Sequence, residues 1–387
     1  MKTLVNIYDP QEPLAAYLFL KQYYQDGDRL LFIATREDRA SVAPYASLFL
    51  IPEEQITIIS FKRDEDSYIY ERIGRRLRGA LSTDMQYAVN LAGGTRYSAL
   101  AVQHVFAGFD AKFYYVQTRE NLIVSSVFDS QFEDNDDVID PIRYRMSIAE
   151  YLELHGLTHD LFSRRHRPIR SYEDALHIFD CFKARRLTGK AFSALEVLRR
   201  CYRGTKNSVS LNSIRKGSVL HEEGTDGVEA LLKEFRFVPK VADSLQPDEI
   251  DYLTGGWFEE YVFHTIQQAV APQEIALGVR ISHSGMEHDN ELDVMFIKAN
   301  TLFVVECKTG VATDHLFNEI VYKACALKET FLGRSCHSYI FTLKNDYDHH
   351  LAEVSDMMGI RLCAKSTLTD AKKMQDVFDT IRQQAHE

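Results

Sequence analysis

A chain of 387 residues, 45% of them hydrophobic, is long enough for two or three domains with substantial cores. It holds no run of about 18 apolar residues, which excludes a helical membrane span. Its net charge of −11 argues against a general nucleic-acid coat, and six scattered cysteines with no C-x-x-C pair read as reduced core thiols. The opening Met1-Lys2-Thr3-Leu4-Val5 passes directly into a strand pattern rather than a signal peptide, so a cytoplasmic protein is expected.

The first third alternates strand and helix. Strand patterns occupy Leu4–Tyr8, Leu30–Ala34, Gln55–Ser60, Tyr87–Leu91 and Phe113–Gln117, with helical patterns such as Leu14–Tyr24 and Arg72–Leu81 between them. That order predicts a parallel, doubly wound, Rossmann-like sheet, whose ligands sit beyond the C-terminal ends of the strands. The residues expected there are Asp9 and Pro10 after the first strand, Thr35 and Arg36 after the second, and Asn90 to Arg96 after the fourth, with Gln117 ending the fifth. Within the fourth loop, Gly93 and Gly94 let the backbone approach a ligand, and Thr95 can cap a helix beginning at Arg96. The exposed N–H groups of such a turn favour a phosphate. No G-x-G-x-x-G occurs, which argues against a nicotinamide or flavin.

The middle is basic. Between residues 143 and 206 fourteen Lys/Arg face seven Asp/Glu, a net of +7 that leaves −18 for the rest of the chain. This segment reads as solvated helical faces, as a wall touching phosphates through residues such as Arg185 and Arg186, or as an inter-subunit contact. Helical patterns cover Ser147–His155, Ala175–Arg186, Ala191–Tyr202 and Gly227–Phe235, with a polar stretch over Thr205–Thr225. The organisation expected is a sensor-like domain over 1–145, a mostly helical connection over 146–250 and a third unit over 251–387.

The last unit carries the chemistry. Thr254-Gly255-Gly256 precedes an amphipathic helix with Trp257, Phe258, Tyr261, Val262 and Ile266 on its apolar stripe. Glu259 lies at the border of that stripe and Glu260 nearly opposite, so Glu259 is expected to face inward and Glu260 to be solvated. Leu292 to Ile297 alternates as a strand, Lys298-Ala299-Asn300-Thr301 reads as a tight turn, and Leu302 to Lys308 reads as a central strand. The hairpin sets Asp293 beside Glu306, and Glu306 shares a strand face with Lys308. Two carboxylates and a lysine on one face suit a divalent cation, Mn²⁺ or Mg²⁺, and attack on a phosphodiester. After Lys308 the pattern predicts a helix over Asp314–Phe331 carrying Lys323, a strand over Ser338–Leu343, a helix over His350–Met358, a strand over Ile360–Cys363 and a final helix to Arg382.

The order helix, three strands, helix, strand, with Glu259 on the helix, Asp293 on the second strand and Glu306-Cys307-Lys308 on the third, resembles the PD-(D/E)xK restriction-endonuclease-like nucleases. Leu292 stands where proline often precedes the aspartate, and Lys323 falls where the family often has a further polar residue. Together with Asn90-Leu91-Ala92-Gly93-Gly94-Thr95 and Leu154-His155-Gly156-Leu157, the whole chain is similar to the CARF-plus-nuclease proteins of type III CRISPR systems. Alanine stands at 92 where that group usually has threonine. The resemblance implies an α/β protein joining an N-terminal Rossmann-like CARF sheet to a C-terminal αβββαβ nuclease domain. It further implies a homodimer activated by a cyclic oligoadenylate, cyclic tetra-adenylate above all, that cuts single-stranded DNA or RNA or nicks duplex DNA with Glu259, Asp293, Glu306, Lys308 and Lys323. The other readings are an unregulated nuclease, a sensor with an inactive nuclease domain, and an enzyme acting on nucleotides in its N-terminal domain.

Overall fold

The computed structural model describes residues 1–61, 69–126, 138–161, 166–184, 191, 194–195, 197–199, 208–210, 224–286, 288–309, 314–333, 335–344 and 349–385. The N-terminal strands are β1 (Lys2–Ile7), β2 (Arg29–Thr35), β3 (Ile56–Phe61), β4 (Gln86–Asn90), β5 (Ala111–Gln117), β6 (Leu122–Ser126) and β7 (Val138–Pro141). They form one sheet in the order β3-β2-β1-β4-β5-β6-β7. The first five run parallel, as the alternation predicted, and β6 and β7 return antiparallel.

Both faces of the central strands β1, β2 and β4 are covered, which is why their middle residues are apolar on both sides. Leu4, Leu30, Phe32 and Ala88 face helix α1 (Leu14–Tyr23) and Tyr45 of α2 (Ala43–Phe49). Val5, Leu31, Ile33 and Val89 face Leu77 of α3 (Ile69–Ala80) and Val102, Val105 and Phe106 of α4 (Arg96–Phe106). The strand order reverses direction between β1 and β4, which places a crevice at their C-terminal ends.

Helix α5 (Ile148–Leu154) follows. Ser147 caps it through a reciprocal box with Glu150, a strong local start signal. Strand β8 (Thr158–His159), helix α6 (Tyr172–Lys183), a short ladder of β9 (Val209–Ser210) with β10 (Ser244–Leu245), and α7 (Gly224–Glu234) complete the described middle. The C-terminal unit holds α8 (Trp257–Val270), β11 (Glu274–Ser282), β12 (Asn290–Lys298), β13 (Thr301–Lys308), α9 (Asp314–Leu327), β14 (His337–Thr342), α10 (His349–Met357), β15 (Ile360–Cys363) and α11 (Ala371–Gln384). Its sheet runs β15-β14-β13-β12-β11-β8, antiparallel from β8 to β13 and parallel from β13 to β15. The expected helix, three strands, helix, strand order is present, and β8 adds an unexpected edge strand from the connecting region.

Two cores flank this second sheet. Phe296, Phe303, Val305 and Cys307 pack with Trp257, Phe258 and Val262 of α8 and with α6, α7 and α11. Trp257 stacks on Phe182 at 4.9 Å, within the range of favourable aromatic pairs, and Tyr261 stacks closely on Phe179 at 4.0 Å. The opposite face, with Met295, Ile297, Leu302 and Val304, belongs to the same continuous core as Leu4, Tyr17 and Phe32 of the first domain. Ile148, Tyr151, Leu152 and Leu154 of α5 lie in that shared core.

Glu260 departs from the expectation. It is 5% exposed, and its carboxylate accepts hydrogen bonds from the backbone N–H of Ile169 at 2.7 Å and Arg170 at 3.1 Å. The helix period is correct, but the face opposite the sheet is covered by the 166–171 segment, which the period cannot reveal. Glu260→Ala is expected to lower unfolding free energy by about 2 kcal/mol or more in a denaturant titration, because two buried N–H groups lose a charged acceptor.

Candidate nuclease centre and sensor crevice

The hairpin β12–β13 closes in a two-residue turn with both central residues left-handed, Ala299 at φ +46 and Asn300 at φ +65. That is the type I′ geometry, whose twist matches the flanking strands. Pairing proceeds from Lys298↔Thr301 to Val294↔Val305 without a bulge, so Asp293 and Glu306 come next to one another. The Asp293 Oδ2 atom accepts a hydrogen bond from the Cys307 N–H at 2.7 Å. Lys308 Nζ lies 3.3 Å from Asp293 Oδ2 and 2.5 Å from Glu306 Oε1. The predicted aspartate, glutamate and lysine therefore form one cluster.

The sheet changes course at this point. Val294 belongs to the α8-side core, whereas Leu292 belongs to the shared core; on β11, Leu277 and Val279 divide the same way. Gly278, between them, has φ +56, a conformation that costs glycine little. The break in alternation falls at Asp293 itself.

Glu259 reaches the cluster from α8. Burial, then the neighbouring Asp293 carboxylate, pushes its carboxyl up to about 8, against the pull of Lys308. Asp293 is pushed up to about 6 by burial and by Glu306, opposed by Lys308 and by the Cys307 N–H. Burial works to lower the Lys308 ammonium, but Asp293 and Glu306 raise it above the usual lysine range. Glu306 lines a small cavity of about 140 Å³ together with Lys323, Ile320 and Ala324 of α9. Lys323 is itself exposed, and it borders the cluster rather than joining it. Glu259 lines a larger cleft of about 1050 Å³ that also takes in Gly278, Arg280, Glu291 and Arg167.

Three carboxylates with hard oxygen donors, two of them made harder to ionise by burial and mutual repulsion, fit a divalent cation better than they fit each other. Among the described residues no three His, Cys, Asp or Glu side chains converge tightly enough to enclose an ion as they stand. Asp293 and Glu306 are the residues that would hold it, with Glu259 as the third oxygen donor.

Sequence reasoning missed the support behind the lysine. Arg199 Nη2 donates to the Thr254 carbonyl at 2.8 Å and to Thr309 Oγ1 at 2.9 Å, and Thr309 Oγ1 donates to the same carbonyl at 3.1 Å. This ties the start of α8 to the residue after Lys308. Arg170 is likewise spent internally, its guanidinium 4.3 Å from the Phe237 ring. Arg185 and Arg186 lie outside the described residues.

In the N-terminal domain, β1, β2, β4 and β5 are parallel, so Asp9 and Pro10, Thr35 and Arg36, the 90–96 loop and Gln117 share one edge of the sheet. Their roles divide. Asn90 is fully buried, donating to Asn6 Oδ1 at 3.1 Å and accepting from the Ala92 N–H at 3.0 Å, and Ala92 is 5% exposed. These two shape the loop instead of presenting side chains to a ligand. Gly93 and Gly94 have φ +124 and +61, and a Cβ would lie 2.2 Å from the Ile7 carbonyl oxygen at Gly93 and 2.6 Å from Ile7 Cγ2 at Gly94. Their first reason is close packing on β1, so bulky substitution would displace the loop whatever it binds. Thr95 caps α4 by accepting from the Ser98 N–H at 3.1 Å, and Arg96, the first residue of the helix, is exposed. Thr35 donates to Asp38, and Arg36 turns toward β3, lining a cleft of about 610 Å³ with Arg39 and Glu53. Asp9 makes a local turn through the Gln11 N–H at 2.9 Å.

Two family models cover most of the chain: a Card1 CARF domain over residues 5–151 and a Card1-like endonuclease domain over residues 247–381. A CRISPR-associated Rossmann-fold domain thus precedes an endonuclease domain. The chain belongs to the CARF nucleases of type III CRISPR systems. Among solved structures it is similar to protein VC1899 from Vibrio cholerae, at 16% identity and TM-score 0.73, over 100% of this chain and 99% of that one. It is also similar to Can2 from Sulfobacillus thermosulfidooxidans, solved in complex with cyclic tetra-adenylate, at 16% identity and TM-score 0.68, over 98% and 99%. At such identities the likeness establishes the fold. No curated protein matches the sequence at a significant level.

Protons and cation compete for the same oxygens, so cation affinity should rise with pH until the higher carboxyl, at about 8, has ionised, and then level off. Calorimetric titration of Mn²⁺ between pH 6 and 9 checks this. An affinity independent of pH would mean that Glu259 and Asp293 are not in the site.

Proposed function

We propose that the chain is an endonuclease that requires Mn²⁺ or Mg²⁺ and is switched on when a cyclic oligoadenylate, cyclic tetra-adenylate in particular, binds its CARF domain. The observation that carries this reading is the continuity of one hydrophobic core from the CARF sheet to the strands bearing Asp293, Glu306 and Lys308. A sensor and a chemically complete centre joined by a shared core can exchange free energy. The Can2 complex with cyclic tetra-adenylate supports the choice of activator. The intact cluster favours an active enzyme over a sensor with an inactive nuclease domain.

A ring of four adenylates has two-fold symmetry and four phosphates. A homodimer presents the 93–96 loop and the N-terminus of α4 twice across one axis, so one ring is clamped by two copies. Exposed Arg96 is the side chain best placed to pair with a ring phosphate. Single-stranded DNA or RNA is the substrate, with nicking of duplex DNA as a second activity.

When bound, the cation supplies a Lewis acid for the phosphate and lowers the pKa of a water. Asp293 and Glu306 fix its position, and the Cys307 N–H holds the Asp293 carboxylate in place. Lys308, kept charged by both acids, orients the attacking water or balances the charge that develops on the phosphate. Arg199 keeps the strand end carrying that lysine against the start of α8.

Glu306→Gln should lower ring-stimulated cutting by about 100-fold or more, since it removes a ligand and leaves the shape. Its affinity for cyclic tetra-adenylate, measured with a labelled ring in the absence of cation and substrate, should stay within about twofold, because linkage to the ring acts through what the nuclease centre binds. Arg96→Ala should do the reverse, weakening ring affinity by about tenfold while leaving cation affinity unchanged. Wild-type cutting by the Glu306→Gln protein would remove the cluster from the chemistry.

A further inference from the structure

The turn that closes the catalytic hairpin is not at the surface. Asn300 is 1% exposed, and its side chain is surrounded by groups from outside the nuclease sheet. Asn300 Nδ2 donates to Asn121 Oδ1 at 3.0 Å and to the Tyr144 carbonyl at 3.0 Å, while Oδ1 accepts from the Met146 N–H at 2.8 Å. Asn121 belongs to the CARF domain. It sits at φ +51 in the turn between β5 and β6, four residues beyond Gln117, at the same sheet edge as the crevice loops. Its own Nδ2 donates to the Ile142 carbonyl at 3.3 Å.

A second contact meets the same edge from the nuclease side. A Cβ placed at Gly333 would fall 3.4 Å from the Gln11 carbonyl oxygen in the loop after β1 and 2.7 Å from His155 Nε2. Tyr151 of α5 donates to the Leu332 carbonyl at 2.7 Å. The edge on which a ligand would act thus lies close to the nuclease domain at two separate loops, and of these two the Asn121–Asn300 contact is the one that leads into the catalytic strands.

From Asn300 the path to the centre is one strand. β13 is hydrogen-bonded on both sides and has no bulge, so it moves as a unit. Glu306 is six residues from Asn300, about 20 Å along an extended strand. A displacement of the turn is therefore passed to Glu306 and Lys308 rather than absorbed between them.

Resting on the reading of a ring-activated nuclease, we propose that the Asn121–Asn300 amide pair is the joint through which the CARF edge positions the catalytic hairpin. Asn121 acts as a positioning residue: it touches neither ring nor substrate. In one arrangement of the CARF edge its Oδ1 holds the turn where Asp293 meets Glu306 and Lys308, and the ring favours that arrangement.

The test uses the full-length protein and three variants. Asn121→Gly keeps the left-handed backbone and removes the side chain. Asn121→Asp keeps an acceptor for Asn300 Nδ2 and also tolerates positive φ. Asn121→Ser, shorter by one atom, replaces the glycine variant should that one not fold. Cutting of a labelled single strand is measured with and without saturating cyclic tetra-adenylate, alongside ring affinity and hydrogen exchange over residues 290–308. The proposal requires Asn121→Gly to bind the ring within about twofold of wild type but to lose about tenfold or more of the stimulation. Its hairpin amides should no longer change protection when the ring binds, and Asn121→Asp should restore both readouts. Full stimulation in Asn121→Gly overturns the proposal, as does an equal loss of basal and stimulated cutting, which marks a purely structural role. Loss of ring affinity also overturns it, by placing Asn121 in the ring site. A wild-type protein that no ring stimulates overturns the parent reading, and this one with it.

Discussion

Because Ala299 and Asn300 both take left-handed conformations, the chain reverses in two residues and the strand register from Lys298↔Thr301 onward is set without slack. Every feature of the centre depends on that register. A slip of one residue would turn Glu306 and Lys308 toward Trp257 and Phe258 of α8 and carry Phe303, Val305 and Cys307 out of that core. The apolar pairs Phe296↔Phe303 and Val294↔Val305 resist such a slip, since each keeps its ring or branch in the same core. Hydrophobic burial along the hairpin thus stabilises the placement of charges at its far end.

Those charges do not suit one another without a guest. Burial disfavours ionisation of Glu259 and Asp293, and each further carboxylate increases the cost. Lys308 offsets part of it, and the Cys307 N–H another part. A cluster built only for stability would have dispensed with the third acid. Glu260, one residue along, shows the contrast: its carboxylate is buried as well, but two backbone donors satisfy it, and it serves the fold.

Much of this was legible in the chain. Period-2 alternation, the Lys298–Thr301 turn and Glu306-x-Lys308 were local signals, and local signals survive folding. The five parallel strands appeared within one or two residues of their expected ends for the same reason. What escaped was decided by partners distant in sequence. The burial of Glu260 depends on the 166–171 segment, the role of Asn90 on Asn6 and Ala15, and the need for glycine at 93 and 94 on Ile7. Asn300 looked like an ordinary turn residue, and its side chain is bonded to Tyr144 and Met146, more than 150 positions away. Strands β6, β7 and β8 were not anticipated; β7 and β8 are only four and two residues long, and β8 pairs with β11 far along the chain.

The CARF sheet and the nuclease sheet are two packed units with one core between them, and helix α5 lies within it. Packed cores rearrange between discrete states rather than deform continuously, so a ligand at one end can select the arrangement at the other. In the proposed activation this coupling governs cutting. It is tested most directly by the initial rate of cleavage of labelled single-stranded DNA and RNA by the full-length protein at fixed Mn²⁺, with and without cyclic tetra-adenylate. With the ring the rate should be at least about tenfold higher, corresponding to a coupling within the usual range. Equal rates in the two conditions would contradict it and leave a nuclease that its CARF domain does not control.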